Sequence, residues 1–368
     1  MTMRALRSIL LTPNLLGHDG VSALSREVMR ALPTPTLALS LHDSGARGGD
    51  ASADLEMRGA GGSRVGFLAD VAVAMPRVTP DTVIVCSHLH LAPAARALSW
   101  RGQRPTIILC GIEAWVNLRP AERWAIAGSD VVAISKHTVD RFKAANPALT
   151  STDVVVCHPG LPATSPSHSG DATDIVSPTS TALIVARMSA AERYKGHDAL
   201  IDIWPRLLSR RPDAVLAIAG DGDDRSRLAA RAATLGVTGS MRFLGRVDDD
   251  QLDTLYRQCR FFVMPSRDEG FGLVFLEAMR AGKPCIGGRG AASEIIEHGV
   301  TGLIVDPDSR PELLAAIERL YNEPDTCRHM GEAGRHRFLS TFTNDCFQAR
   351  LRKALGRRPL VSLAASVP

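Results

Sequence analysis

Residues 261–277 read FFVMPSRDEGFGLVFLE and predict a strand, a glycine-containing turn and a helix in direct succession. The apolar run Phe261–Met264 has the length of a buried strand, and apolar residues recur at helical spacing in 273–281. Gly270 and Gly272 stand between them, where glycine allows a sharp turn and a close approach to the backbone. A buried strand followed at once by a helix is the repeating unit of a parallel sheet covered by helices.

The same alternation extends outward from this stretch. The second half of the chain has five further runs of strand character, at 182–186, 214–219, 241–244, 284–287 and 302–305, and helical patterns at 199–208, 224–235, 249–257 and 310–321. The first half repeats the design, with strands expected at 7–12, 36–41, 82–86, 106–110, 131–134 and 154–157 and helical patterns such as 21–32 and 94–100. Alternating strands and helices predict an α/β fold with parallel sheets.

Residues 161–180 separate the two series. They are rich in Pro, Ser, Thr, Gly and Asp and lack periodicity, which indicates a linker. We therefore predict two Rossmann-like domains, 1–160 and 181–344, whose parallel sheets face a central cleft. A final helical stretch in 345–368 is expected to return to the N-terminal domain.

The composition excludes several classes of protein. The chain has 368 residues, 45% of them hydrophobic and 22% charged, which excludes wholesale disorder. A net charge of +4 is too small to indicate nucleic-acid binding, and no run approaches the ~20 apolar residues of a membrane span. Seven scattered cysteines without a C-x-x-C pair favour a reducing compartment and argue against a zinc site. The apolar N-terminus, cut by Pro13, is better explained as a first strand than as a signal peptide.

Two glutamates flank the glycine turn. Glu269 precedes the expected helix and Glu277 lies eight residues later, so the two carboxylates are separated by up to ~12 Å along one wall. Carboxylates accept hydrogen bonds from hydroxyls, and a helix start with exposed amides favours a phosphate. This spacing suits a sugar at one end and a ribose at the other. The alternative is an acidic first turn and an ordinary surface glutamate.

Two cations follow the first strand of the second domain. In VARMSAAERYKG, residues 185–196, Arg187 is expected at the carboxyl edge of the sheet and Lys195 just before the next helix. Two cations near one strand end suit a diphosphate, although two solvated loop cations remain the alternative. Asp221 and Asp223 have the spacing of a D-x-D metal motif, but we interpret them as a glycine turn. Asp248 is expected to cap a helix.

Three motifs carry a family resemblance. EGFGLVFLE (269–277), RMSAAERYKGHD (187–198) and AGDGD (219–223) resemble the retaining nucleotide-sugar glycosyltransferases of family 4, which have the GT-B fold. SHLHLAP (87–93), GIEAW (111–115) and AISKHT (133–138) resemble the N-terminal domain of that family. The chain looks most like bacterial enzymes that add mannose to lipid-linked exopolysaccharide intermediates. The resemblance implies a hexosyltransferase that needs no metal and no cofactor besides its nucleotide sugar, with GDP-mannose favoured over UDP-sugars.

The resemblance also assigns donor-site roles. Glu269 would bind the sugar hydroxyls and Glu277 the ribose, while Arg187 and Lys195 would hold the diphosphate and stabilise the leaving group. The turn and helix start would offer backbone amides, through Gly270, Phe271, Gly272 and Leu273. Val247, in the stretch 245–247, would flank the base. In the first domain, Gly20 is the safest match to the glycine that approaches the donor phosphate in relatives.

In the family that the chain resembles, a histidine usually follows the strand that corresponds to 82–86, near the transferred sugar and the acceptor. His88 and His90 both qualify, and alternation places them on the same side of an extended segment. Their alternative is a pair of loop histidines bonded to the backbone. Glu113 and Trp115 follow the next strand and could line an acceptor groove or form a structural turn.

The expected function is transfer of a hexose, best mannose, to a glycan or polyprenyl-diphosphate-linked acceptor in polysaccharide biosynthesis. A cytoplasmic location is expected, including the cytoplasmic face of the inner membrane. Trp100 with Arg96, Arg101 and Arg104 could meet anionic headgroups there or form an ordinary solvated helix end. The alternatives are a UDP-sugar-dependent transferase with a soluble acceptor, a nucleotide-sugar 2-epimerase and a two-domain sugar-binding protein. The last two lack support, because no epimerase pattern and no export signal are found.

Overall fold

The computed structural model describes residues 6–17, 19–44, 54–165, 177 and 179–356. His18 in the loop after the first strand, most of the expected linker and the two chain ends lie outside these ranges. The described chain divides into two compact units. One comprises described residues within Met1–Ile134, Thr138–His158 and Asp345–Pro368, and the other Ser135–His137 with Pro159–Asn344.

The first unit contains a seven-stranded parallel sheet. Its strands are β1 Ser8–Thr12, β2 Thr36–Ser40, β3 Leu55–Gly59, β4 Val83–Cys86, β5 Thr106–Leu109, β6 Asp130–Ala133 and β7 Val154–Val156. The spatial order is β3-β2-β1-β4-β5-β6-β7. The helices that connect them are α1 Gly20–Ala31, α2 Arg64–Ala74, α3 Ala92–Leu98, α4 Pro120–Ala127 and α5 Lys136–Ala145.

The second unit contains a six-stranded parallel sheet. Its strands are β8 Thr181–Val185, β9 Val215–Ala219, β10 Met241–Gly245, β11 Phe261–Met264, β12 Cys285–Gly288 and β13 Gly302–Val305, in the order β10-β9-β8-β11-β12-β13. The helices are α6 His197–Leu208, α7 Arg225–Thr234, α8 Asp249–Gln258, α9 Leu273–Arg280, α10 Ala292–Ile295, α11 Arg310–Asn322 and α12 Pro324–Thr341. The last helix, α13 Asn344–Leu355, packs with the first unit.

The expected fold class is confirmed: both units are Rossmann-like, with parallel sheets between helices. Central strands are buried along their whole length, as in β1 and β11, because helices cover both faces of a parallel sheet. Every predicted strand is present, with ends within one or two residues of those expected. The structure adds one strand and five helices that the sequence analysis did not name: β3, α2, α4, α5, α10 and α12.

In each sheet the chain builds outward from one strand and then returns to its other side. The reversal lies between β1 and β4 in the first unit and between β8 and β11 in the second. Ligands of open parallel sheets bind beyond the carboxyl ends of the strands at such a switch point. No helix within the described ranges is both long and apolar enough to cross a membrane.

Candidate functional site

The second unit brings its two candidate segments to one switch point. Arg187 and Lys195 follow β8, and Glu269 to Gly272 follow the neighbouring strand β11. The backbone N–H of Arg267 donates to the carbonyl of Tyr194 at 3.0 Å, which joins the two loops directly. The two loops therefore lie side by side at the carboxyl edge of the sheet, where open parallel sheets bind ligands in a crevice.

Gly196 determines how closely these loops approach. Its φ of +94° is a left-handed conformation that favours glycine. A Cβ at this position would lie 2.7 Å from Cγ of Pro265, so no larger residue fits without a shift. The approach places Lys195 beside the β11 loop, where its Nζ lies 2.7 Å from Oε2 of Glu269. Both side chains are largely buried, at 17% and 19% exposure.

The start of α9 forms the second wall. Gly272 is the N-cap residue with φ +101°, and no side chain in the described ranges caps the helix. A Cβ on Gly272 would lie 2.7 Å from the ring of Phe275. Phe271 is buried, and Leu273 begins the helix. An uncapped helix start with the dipole behind it favours a negative group.

Glu277 lies one turn further along α9. Its Oε2 accepts a hydrogen bond from the hydroxyl of Tyr256 on α8 at 2.8 Å. Burial raises the pKa of Glu277, and the hydrogen bond from Tyr256 opposes that rise. Tyr256, which sequence analysis did not identify, therefore orients the carboxylate. Only tertiary packing of α8 against α9 brings the pair together.

Arg187 stands apart from the Lys195–Glu269 contact. Its side chain is 77% exposed, and one guanidinium nitrogen donates to Oε1 of Glu192 at 2.6 Å. The structure thus places Arg187 at the expected edge but holds it within its own loop. Val247 follows β10, two strands from the switch point, beside the Asp248 that caps α8 with Gln251 as expected.

The Asp221–Asp223 turn is packed against the loop that follows β8. A Cβ on Gly222 would lie 2.1 Å from the carbonyl of Met188. Asp223 accepts a hydrogen bond from the backbone N–H of Ala190 at 2.9 Å, and Asp221 lies 3.6 Å from Arg225. This geometry is that of a structural turn, which agrees with the interpretation from sequence.

In the first unit, Gly20 begins α1 at the switch point beyond β1. Asp19 caps this helix: its carboxylate accepts hydrogen bonds from the amides of Val21 and Ser22, both at 2.9 Å. Burial raises the pKa of Asp19, but these hydrogen bonds outweigh it and the pKa is lowered. Two of the amides at this helix start are therefore already occupied.

The two histidines lie beyond the adjacent strand β4. The expected extended segment is wrong, because Leu89–Leu91 forms a 3-10 turn capped by the His88 side chain. The backbone N–H of His90 donates to Nδ1 of His88 at 3.3 Å, and this turn brings the ring centroids to 5.0 Å. Burial, with a contribution from His90, lowers the pKa of His88 to about 4. His88 is therefore neutral at pH 7, with its proton on Nε2.

His90 has a partner that sequence analysis missed. Its Nδ1 lies 3.0 Å from Oε1 of Glu122, a buried residue in the first turn of α4. Burial opposes ionisation of Glu122, but hydrogen bonds from Arg119 and His90 lower its pKa to about 2. Because an ionised carboxylate only accepts, the proton of this contact belongs to Nδ1 of His90. The Nε2 atoms of the two rings therefore differ in hydrogen-bonding character when both are neutral.

Glu113 and Trp115 lie beyond β5. Oε1 of Glu113 accepts hydrogen bonds from the amides of Cys110 and Gly111 at 2.6 and 3.2 Å, which closes the turn. Burial raises the pKa of Glu113. The guanidinium of Arg141 lies 4.7 Å from the ring of Trp115. Glu113 thus has the contacts of a structural turn, while Trp115 offers a cation–aromatic face.

Comparison with known sequences adds relatives. The family described as "Glycosyl transferases group 1" matches residues 174–337. A GDP-mannose-dependent alpha-(1-6)-phosphatidylinositol monomannoside mannosyltransferase of Mycolicibacterium smegmatis is 35% identical over 184 residues, 48% of each chain. A GDP-mannose-dependent monoacylated alpha-(1-6)-phosphatidylinositol monomannoside mannosyltransferase of Corynebacterium glutamicum is 30% identical over 265 residues, 68% of this chain and 69% of that one. The chain therefore spans about half the length of the first relative and about two thirds of the second.

Comparison with solved structures shows which known proteins share this fold. The Anabaena protein HepE, in complex with UDP and glucose, has a TM-score of 0.74 at 19% identity and covers 96% of this chain and 100% of its own. Sucrose-phosphate synthase from Thermosynechococcus elongatus has a TM-score of 0.73 at 18% identity, covering 94% and 98%. At these identities the likeness concerns the fold alone.

Proposed function

This chain belongs to the group 1 glycosyltransferases and has the GT-B fold, and on that premise we propose that it is a retaining, metal-independent hexosyltransferase. The proposed reaction moves mannose from GDP-mannose to a lipid-linked or oligosaccharide acceptor in polysaccharide biosynthesis. The observation that carries the proposal is the contact between Lys195 and Glu269 beside the uncapped start of α9. It puts a cation, a hydroxyl-binding carboxylate and an anion-favouring helix end at one switch point.

The donor would occupy this crevice in a defined direction. The diphosphate would lie against Lys195 and the α9 start, with Arg187 swinging from Glu192 toward it. The sugar hydroxyls would bond to Glu269, and the ribose would bond to Glu277, which Tyr256 orients. Gly270, Phe271, Gly272 and Leu273 would supply the backbone of this wall, and Val247 would flank the base.

The chemistry follows from the charge that develops. The bond between sugar C1 and the diphosphate oxygen breaks, and a bond from C1 to the acceptor oxygen forms on the same face. The leaving phosphate takes the acceptor proton, so no protein base is required for this step. Lys195 and the α9 start stabilise the departing negative charge, and each such preorganised group typically contributes ~3–4 kcal/mol.

The acceptor would be held by the first unit. His88 and His90 offer a fixed donor and a partnered ring beyond β4, suited to hydroxyls of the sugar and acceptor. Gly20, Glu113 and Trp115 are the remaining residues proposed on this side. The mannose assignment is supported by the GDP-mannose-dependent relatives. Cytoplasmic action is supported by seven free cysteines, as thiols persist in reducing compartments.

A donor screen tests the proposal. Purified protein in EDTA is examined by thermal shift and slow donor hydrolysis against GDP-mannose, UDP-glucose, UDP-galactose and UDP-N-acetylglucosamine. A ligand at 100 times its Kd stabilises by ~2.7 kcal/mol, a shift that is measurable. The proposal is supported if GDP-mannose stabilises the protein and is hydrolysed by it, and if both effects are weaker in Glu277→Ala. Preference for a UDP-sugar overturns the mannose assignment, activity only with added Mn²⁺ overturns metal independence, and no response overturns the donor site.

A further inference from the structure

Helix α2 presents an apolar face to solvent. Val65, Leu68 and Val73 are 79%, 57% and 50% exposed, while Phe67 and Val71 on the opposite face are buried in the core. Ala69 and Ala72 lie between the exposed apolar residues and are themselves exposed. Surface helices normally place polar residues outward. The outward apolar face of α2 therefore indicates a binding partner, in addition to the core that its other face contacts.

Two tryptophans continue this face over the neighbouring helices. Trp100, after α3, is 53% exposed, and its indole Nε1 donates to the carbonyl of Met75 just beyond α2 at 3.3 Å. Trp124 on α4 is 54% exposed and has the guanidinium of Arg96 on α3 5.6 Å from its ring. Helix α3 packs against both α2 and α4, so the side chains belong to one side of the sheet.

The charges around this face are unbalanced. Arg64, Arg101 and Arg123 are exposed and form no ion pair with any described residue, although Arg101 lies 4.4 Å from the ring of Trp100. Three carboxylates of these elements are already paired: Glu56 with Arg58 and Arg77, Asp70 with Arg58, and Asp130 with Arg104. Asp81, in the loop before β4, is exposed and forms no ion pair with any described residue, so one carboxylate stands against the three arginines. The surface therefore offers unneutralised guanidinium groups beside apolar side chains.

We propose that this surface, defined by Val65, Leu68, Val73, Trp100 and Trp124 with Arg64, Arg101 and Arg123, docks on a bilayer that contains anionic lipids. Apolar side chains would enter the boundary between headgroups and acyl chains, tryptophans would sit at headgroup depth, and arginines would bind phosphates. A second copy of the chain fits less well, because a two-fold contact would face the same unpaired arginines against each other. The inference rests on the proposed function, to which it adds the place where the lipid-linked acceptor is met.

Vesicle sedimentation of the full chain tests the docking surface. The probes are vesicles of phosphatidylcholine alone and of phosphatidylcholine with phosphatidylglycerol at 3:1, at low and high salt. Two triple variants are compared, Val65→Ser/Leu68→Ser/Val73→Ser and Arg64→Gln/Arg101→Gln/Arg123→Gln. The matched control is Val300→Ser/Leu339→Ser, which removes two exposed apolar side chains from the second unit.

We expect binding to anionic vesicles that weakens with salt. Each arginine near an anionic surface changes affinity by about fivefold, so the arginine variant should bind at least tenfold more weakly. The apolar variant should also lose binding, while the control variant binds as the parent does. Size-exclusion chromatography of each variant without vesicles, compared with the parent, checks that the variant is folded.

Three results would overturn the inference. They are absence of binding to anionic vesicles, equal binding by both triple variants and the parent, and a dimer in solution that the α2 substitutions abolish. Donor hydrolysis, which needs no membrane, is measured on the same samples. For the parent chain, absent vesicle binding with intact hydrolysis rejects the docking surface alone, whereas absent hydrolysis with intact binding rejects the proposed function alone.

Discussion

Lys195 is the cation whose position in the crevice is most closely fixed, through Gly196 on one side and Glu269 on the other. Lys195→Gln retains most of the length but removes the charge that would meet the leaving diphosphate. We expect kcat/KM for the donor to fall about 10²–10³-fold, the usual effect of removing one preorganised group at developing charge. Steady-state kinetics measure it. Arg187→Gln is the comparison, with a smaller expected loss because Arg187 is exposed and held by Glu192; an unchanged kcat/KM in Lys195→Gln would contradict the assignment.

In the proposed donor site, Tyr256 would act on the nucleotide through Glu277, to which its hydroxyl donates a hydrogen bond. Tyr256→Phe removes the hydroxyl that orients the carboxylate, and we expect nucleotide affinity to weaken about three- to tenfold, since a hydrogen bond of this kind is worth ~0.5–1.5 kcal/mol. Calorimetry with Tyr256→Phe, Glu277→Gln and the double variant should show coupling between the two sites. Tyr321→Phe is the matched control, because Tyr321 donates to the carbonyl of Ser180 and should alter stability only. Additive effects would show that Tyr256 does not position Glu277.

The lowered pKa values of two buried histidines predict how they contribute to the pH dependence of stability. Burial, as the largest cause, lowers the pKa of both His88 and His197 to about 4. Below the unfolded value of about 6.5 the unfolded chain gains protons that the folded chain does not. The contribution of these two histidines to stability therefore falls as the pH drops from 6.5 towards 4 and is constant well above 6.5. Each histidine contributes up to about 2 kcal/mol of loss between pH 6.5 and 5. Thermal unfolding from pH 5 to 7.5 should show a shallower slope in His197→Gln than in the parent, and an equal slope in the two proteins would contradict the prediction.

Individual site residues could be predicted from sequence more readily than their partners. Glu269, Lys195 and Glu277 lie in motifs that local reasoning identifies, and the structure brings the first two into contact across 74 positions. Glu122 carries no such signal: it is one acidic residue in a first helical turn, 32 positions from His90. The same holds for Tyr256. Only tertiary packing assigns such partners, since nothing in the local sequence distinguishes them from surface residues.

At the scale of elements, the loop between β8 and α6 depends on one glycine. Gly196→Ala adds a Cβ in a left-handed conformation and against Pro265, so we expect a loss of stability beyond ~1–2 kcal/mol and weaker donor binding as Lys195 moves. Gly236→Ala is the matched control, because Gly236 has φ +70° with no atom within 4 Å of the added Cβ. Both variants incur the backbone strain, and only the first clashes. Equal stability and equal nucleotide affinity in the two variants would show that the close approach is unimportant.

β3 and α12 were not predicted because each lacks the local sequence signal of its element type. β3 reads LEMRG and is half-buried throughout at the edge of its sheet, so it lacks the apolar run of a central strand. α12 contains Gly331 and Gly334, which disfavour a helix in isolation. In the fold, a Cβ on Gly331 would lie 2.1 Å from the carbonyl of Gly282, so the glycine allows close packing against the end of α9. Tertiary contact overrides local propensity in both elements.

For the whole molecule, the alternation of strands and helices was sufficient to predict two parallel sheets, but not their strand order. The order depends on which crossovers place β4 beside β1 and β11 beside β8. The paired residues are 75 positions apart in the first unit, as in Ser8 and Val83, and 79 in the second, as in Ala182 and Phe261. Those reversals create the two switch points at which the candidate residues gather. The motifs therefore predicted candidate residues, and the sheet topology explains why motifs distant in sequence share an edge.

The contribution of α13 to the first unit gives a prediction at this scale. Phe347 and Leu351 are buried, and Gln348 donates to Glu27 on α1 at 3.2 Å, so the helix completes the core of the first unit although it follows the second in sequence. Phe347→Ala should destabilise the first unit by ~3–5 kcal/mol, the usual effect of deleting a buried phenyl group. Hydrogen exchange should then accelerate in β1 and β4 while β8 and β11 keep their protection. Phe338→Ala on α12, equally buried, should show the reverse pattern. Uniform acceleration across both sheets in either variant would mean that the two units unfold as one, and that α13 does not act on the first unit alone.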